Sequence, residues 1–217
     1  GKKNILNNIY VGQVEKIATN IQAAFVRLND SVNGYLPLNQ CEHAIFADGH
    51  REGQSLRPGD QILVQINRDA MKGKLPALTA NLNFSGKFLV LTTGNRKIGI
   101  SNKLSKEESS KLSKWLDDER NIPDRGYGLI ARTNAADASK EEFFHELDML
   151  KKQYEKVAVY GRNRTCFSLL YESEPFYLSA VRDIYGRDLD EIVTDISEMH
   201  TKISDYLNEF QPEKLEI

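Results

Sequence analysis

Apolar positions recur first with the alternation of strands and later with the spacing of helices. From Asn8 to Leu38 the pattern reads as three short strands: Tyr10, Val11, Val14 and Ile17 in a run broken by Gly12, then Ile21 to Leu28, then Gly34 to Leu38. Glycine inside a strand pattern marks a bulge or a barrel corner. An irregular connection from Asn39 to Pro58 leads to a fourth strand, and the unit closes near Leu82. Beyond it, Lys87 to Thr93 and Arg96 to Ser101 read as two strands of a hairpin turned by Gly94-Asn95. Ser105 with Glu108 has capping-box spacing ahead of a helix whose Leu112, Trp115 and Leu116 share one face. Tyr127 to Arg132 alternates as a strand, and Ser139 opens an amphipathic helix to about Tyr154, with Phe143, Leu147 and Leu150 inward. A strand at Cys166 to Tyr171, a helix at Pro175 to Ile184, a short strand at Ile192-Val193 and a helix at Ser197 to Leu207 complete an α+β chain. No repeat or low-complexity tract interrupts it.

The first three strands place their turn residues where a small five-stranded barrel of the OB type needs them. Such a barrel presents aromatic and basic side chains to the bases and phosphates of an unpaired strand. Phe25, Tyr35 and Lys74 are the candidates, although aromatics alternating in such a barrel more often belong to its core than to a ligand platform. A second constellation is Arg132-Thr133 at the end of the Tyr127 strand. A guanidinium fork with a hydroxyl and a backbone N–H beside it can grip a phosphate, but the dipeptide by itself fits an arginine–carboxylate pair on a surface strand better.

Composition narrows the classes. Net charge is -2 over 217 residues, but it is unevenly spread: residues 1–134 carry 19 Lys and Arg against 13 Asp and Glu, and residues 135–217 carry 10 against 18. Phosphate contacts supply much of nucleic-acid affinity, so RNA is expected on the first part. A protein-facing surface or a merely solvated face is expected on the acidic part. No stretch approaches the roughly 20 apolar residues of a membrane span. The opening GKKNILNN lacks an apolar export segment, and Cys41 and Cys166 form no disulfide or zinc pattern, which together predict a cytoplasmic protein with reduced thiols. Cys41, His43 and His50 have poor metal spacing. Asp183, Asp188, Asp190, Glu191 and Asp195 read better as a solvated face than as a cation site.

Nine fragments in order resemble the ribonuclease E/G family: NIYVGQV, QAAFV and GYLPL, followed by GDQILVQI, ALTANL, GKFLVL, IGISNKL, GLIARTNA and the stretch Leu169 to Ile184. The resemblance implies a single-stranded RNA-binding barrel over residues 1–82, an α/β 5′-sensor subdomain over 83–175 and part of an RNase H-like subdomain over 176–217. It implies that Arg132 and Thr133, with backbone support from Gly86 and Val90, sense the 5′-monophosphate of RNA. Lys103, where the family often has arginines, is a weaker neighbour. The family cleaves RNA with magnesium held by two aspartates of a later domain and joins subunits through zinc-binding cysteines. Neither motif is matched here, so the implied chain is the RNA-binding part of a larger endoribonuclease acting in RNA processing, with no cofactor of its own, inactive alone, and partnered by RNA, by the rest of that enzyme and by further copies of it. Three departures stand out: Arg27 where an acidic residue is usual, which adds positive charge; Tyr35 in place of phenylalanine, which preserves stacking; and Asp137 in place of glycine, which threatens the phosphate loop. A free-standing RNA-binding protein and a protein-interaction scaffold are the alternatives.

Overall fold

The computed structural model describes residues 5–47 and 55–173. The elements anticipated from Pro175 to Leu207, and His50, lie outside them.

Five strands close into a barrel: β1 (Ile9–Ala18), β2 (Ala23–Arg27), β3 (Asn33–Pro37), β4 (Gln61–Arg68) and β5 (Ala77–Thr79). Their order around it is β1-β2-β3-β5-β4, and β4 pairs back to β1. Only β3 and β5 run parallel; the other pairings are antiparallel. The alternation in β2 and β3 turns Ala24, Val26, Gly34 and Leu36 inward. They pack with Val14, Ile62, Val64, Ile66 and Leu78. Gly34 is required by this packing, because a Cβ there would lie 2.5 Å from Leu78 Cδ1.

A second, four-stranded sheet follows: β6 (Asn83–Ser85), β7 (Leu89–Thr92), β8 (Ile98–Ile100) and β9 (Gly128–Ala131), in the order β6-β7-β9-β8. Helices α1 (Lys106–Trp115), α2 (Asp117–Arg120) and α3 (Lys140–Tyr154) accompany it. The anticipated hairpin does not form. β9 lies between β7 and β8, antiparallel to the first and parallel to the second. Local turn chemistry is present, since Asn95 Oδ1 accepts the Lys97 N–H at 2.9 Å, but Leu129 and Ala131 of β9 are fully buried, and the burial gained by a central β9 exceeds what a two-stranded hairpin offers.

The predicted capping box at the start of α1 forms, and a second one closes the start of α3. Ser105 Oγ accepts the Glu108 N–H at 3.2 Å while Glu108 Oε2 accepts the Ser105 N–H at 2.8 Å; Ser139 and Glu142 repeat this at 3.1 and 2.8 Å. Phe143, Leu147 and Leu150 of α3 are buried against the sheet, as are Leu112 and Leu116 around α1.

Strands β1 and β4 of the barrel also pack against the second sheet. Ile9, Val11 and Leu63 point out of the barrel into the second core, so these strands are buried on both faces. A third contact comes from β10 (Leu169–Tyr171), which pairs with the start of β1. Buried Gln65 joins the two units: its Nε2 donates to the carbonyls of Asn7 and Asn83 at 3.0 and 2.9 Å, and its Oε1 accepts the Asn83 N–H at 2.8 Å. A fully satisfied buried amide of this kind specifies register as well as contributing stability. Among the described residues no helix is long and apolar enough to cross a membrane.

Candidate nucleic-acid interface

Phe25 and Tyr35 are directly opposite each other in the β2–β3 register, on the outer face of the barrel. Their rings meet edge to face with centroids 6.3 Å apart. Both are half-buried, unlike the inward neighbours Ala24, Val26 and Leu36. The core alternative is therefore removed for both: the period-2 alternation that fills the barrel with aliphatic side chains turns these two rings outward. Lys74 is exposed in the connection from β4 to β5, whose backbone is held by the Lys74 N–H donating to Met71 O at 2.6 Å. That connection ends on Pro76, whose carbonyl accepts the Tyr35 N–H at 2.9 Å. The loop bearing Lys74 is thus docked on the backbone of one of the aromatic residues. Arg27 does not add an isolated charge to this face, because Glu15 and Asp30 stand 3.7 and 3.5 Å from its guanidinium.

The other five candidates gather at one edge of the second sheet, where parallel strands β8 and β9 both end. Arg132 follows β9; its N–H donates to Phe88 O at 2.7 Å and its Nη1 to Gly86 O at 2.6 Å. Thr133 Oγ1 and Ser101 Oγ, just past the ends of the two strands, are 2.9 Å apart. The same Ser101 hydroxyl accepts the Lys103 N–H at 3.3 Å. Val90 pairs with Ser85 on one side and Ile130 on the other, two positions before Arg132. Gly86, Val90, Arg132, Thr133 and Lys103 are therefore brought together by the sheet edge from segments distant in sequence. The crevice outside the carboxyl ends of parallel strands is a recurrent ligand position.

Sequence reading missed the residue beneath this edge. The Glu146 carboxylate is buried and accepts the Phe88 N–H at 2.9 and 3.1 Å. A Cβ on Gly86 would come within 1.3 Å of Glu146 Oε1, so a side chain there would have to displace the carboxylate that accepts the Phe88 N–H. Helical spacing held the signal, because 143, 146, 147 and 150 share the inward face of α3. Asp137 is exposed and is not among the described non-glycine residues with positive φ, which are Asn7, Gln22 and Asp124. Its backbone therefore does not call for glycine; its charge alone distinguishes it.

Among the described residues no group of three His, Cys, Asp or Glu side chains is placed to hold a metal. Cys41 is half-buried, its thiol donates to Pro37 O at 3.5 Å, and burial pushes its pKa up to about 11. The thiol therefore stays protonated at neutral pH. The Tyr127 hydroxyl donates to Glu119 Oε2 at 2.7 Å, with Lys151 on the other oxygen at 2.7 Å. Burial first, and then the Glu119 carboxylate, push the tyrosine pKa up. This buried network pins α2 to α3 and lies away from the sheet edge.

Fold and site together define an α+β protein with a closed barrel bearing an outward aromatic pair and a second sheet bearing an arginine–threonine edge. The model of the ribonuclease E/G family matches residues 83–217, more than half of the chain, and the chain belongs to that family. Ribonuclease E of Haemophilus influenzae is 29% identical over 213 residues, covering 95% of this chain and 23% of that protein. Ribonuclease E of Synechocystis is 28% identical over 192 residues, covering 88% of this chain and 28% of its own length. Ribonuclease E of Escherichia coli is 30% identical over 195 residues, 87% of this chain and 18% of that protein. The chain spans less than a third of the length of each of these relatives.

Proposed function

We propose that this chain is the RNA-binding and 5′-end-sensing part of a ribonuclease E/G-type endoribonuclease that acts in cytoplasmic RNA processing. The barrel, residues 1–82, is read as an OB-type fold whose Phe25 and Tyr35 stack on bases of single-stranded RNA while Lys74 meets a phosphate. Residues 83–175 are read as a 5′-sensor in which Arg132 and Thr133 take a 5′-monophosphate, with Gly86 and Val90 supplying backbone and Lys103 additional charge. Residues 176–217 are read as part of an RNase H-like subdomain. Magnesium, for hydrolysis, and zinc, for joining subunits, belong to other parts of the intact enzyme, whose further copies and remaining domains are the protein partners.

The observation that carries the reading is the cross-strand Phe25–Tyr35 pair turned away from the barrel core. It supports stacking on RNA because a core role is already filled by the alternate positions, and because family membership supplies an RNA-directed context. Stacking is worth roughly 1 to 3 kcal/mol per base. Phe25→Ala and Tyr35→Ala are therefore expected to weaken binding of single-stranded oligoribonucleotide about five-fold or more each, in proteins whose circular dichroism and melting remain cooperative. Fluorescence anisotropy at fixed salt is the measurement. Wild-type affinity in a folded double variant would remove the barrel face from the reading.

A further inference from the structure

Arg27 ends β2 on the same outer face as Phe25, two positions earlier. Its guanidinium lies over the ring of Phe167, 4.8 Å from the centroid. β1 gives one edge to β4 and the opposite edge to β2 and, at its start, to β10. Phe167, two residues ahead of β10, therefore arrives where β2 ends. Glu15 and Asp30 flank the guanidinium at 3.7 and 3.5 Å, distances of ion pairing and not of good charge-assisted hydrogen bonds. Arg27 Nε is buried and has no hydrogen-bond partner, while the side chain keeps 38% of its surface exposed. Asn33, opposite Arg27 in β3, donates to Glu15 Oε2 at 3.1 Å and steadies that carboxylate.

A guanidinium backed by an aromatic ring is a planar cationic platform, and unpaired bases stack on such planes as they do on aromatic rings. The two carboxylates decide which part of RNA it would take. They repel a phosphate but not an uncharged base. We propose that Arg27, backed by Phe167, forms a nucleobase-stacking subsite for single-stranded RNA, extending the Phe25–Tyr35 face across β2 toward the segment that precedes β10. This rests on the barrel-face reading above.

The test uses the full chain and a fluorescein-labelled oligouridylate, with a set of the same oligomer carrying one abasic nucleotide at successive positions. Arg27→Lys keeps the charge and loses the plane; Phe167→Leu keeps the charge and removes the backing. Each is expected to weaken binding about five-fold or more, with an unchanged slope of log affinity against log salt, because no phosphate contact is lost. The wild type is expected to lose affinity at one abasic position to which Arg27→Lys is indifferent. Wild-type affinity in folded Arg27→Lys overturns the proposal, since charge alone would then suffice. A salt slope reduced by about 1 in Arg27→Ala, with Arg27→Lys behaving as wild type, also overturns it in favour of a phosphate contact. Phe25→Ala is run in parallel: if it weakens binding while the Arg27 and Phe167 variants do not, the subsite falls and the barrel face stands; if none weakens binding, both fall.

Discussion

Arg132 and Gly86 show how much one hydrogen bond and one absent Cβ organise at the sheet edge. Arg132 Nη1 holds the Gly86 carbonyl at 2.6 Å, and the Glu146 carboxylate occupies the space a side chain at 86 would need. Gly86→Ala must displace that carboxylate and deprive the Phe88 N–H of its acceptor. Overpacking and an unsatisfied buried donor together cost about 2 to 5 kcal/mol, so denaturant unfolding of Gly86→Ala should show a loss of that size with an unchanged m-value. An intact midpoint would mean that the turn relaxes freely. Arg132→Lys tests sensing instead of folding. An ammonium keeps the charge but not the fork, and the preference for a 5′-monophosphate over a 5′-hydroxyl oligoribonucleotide, expected at about 1.5 to 3 kcal/mol for a charge-assisted contact, should largely disappear. Competition between the two oligomers reads this directly, and Asp137→Gly, which removes an exposed negative charge nearby, should widen the wild-type preference. Equal affinity for both oligomers in all three proteins would leave Arg132 as a structural contact of the Gly86 turn.

At the scale of elements, the helices are stated locally and the strands are not. Ser105 and Ser139 each close a reciprocal cap with the glutamate three residues on. The Glu108 pKa is held below the ordinary carboxylate range by the backbone and hydroxyl contacts of Ser105. A depressed carboxylate contributes above its unfolded pKa and ceases to contribute as pH falls through the folded one, so this cap weakens only in acid. Ser139→Ala should cost about 1 kcal/mol, lowering Tm by about 2 to 4 °C in a domain of this size. No change in a thermal melt would show that α3 is held by Phe143, Leu147 and Leu150 alone. β7 and β8 obey a different logic. Gly94-Asn95 satisfies local turn chemistry, yet the strands part to admit β9. A strand's neighbour is chosen by the apolar area a pairing buries, which can come from any distance along the chain.

Across the described residues, the barrel and the second sheet are joined through strands buried on both faces, so the groups proposed to contact RNA on the two units are carried by one continuous packed scaffold. Residues 1–134, which hold every proposed RNA contact except Phe167, carry the excess of Lys and Arg. Binding without cutting is the expected behaviour of the purified chain, because magnesium-assisted hydrolysis needs its carboxylate ligands in place and those are proposed to belong to another part of the enzyme. Incubation of labelled RNA with magnesium near neutral pH should leave it intact. Steady cleavage abolished by Asp188→Asn or Asp195→Asn would overturn this and make the acidic stretch an active site.

What the sequence by itself determined is what depends on neighbours along the chain. The Ser105 capping box, the start of α3 at Ser139, the inward faces of α1 and α3, the glycine-marked strands of the barrel and the Arg132-Thr133 pair were legible because period and cap chemistry are local. Tertiary structure alone decided which way Phe25 and Tyr35 point, since alternation sets that two faces differ but not which one the barrel encloses. It alone placed β9 between β7 and β8, set Glu146 under Gly86, and brought Phe167 over Arg27. Each of these depends on contacts between segments far apart in sequence, where buried area and polar satisfaction in three dimensions outweigh any local preference.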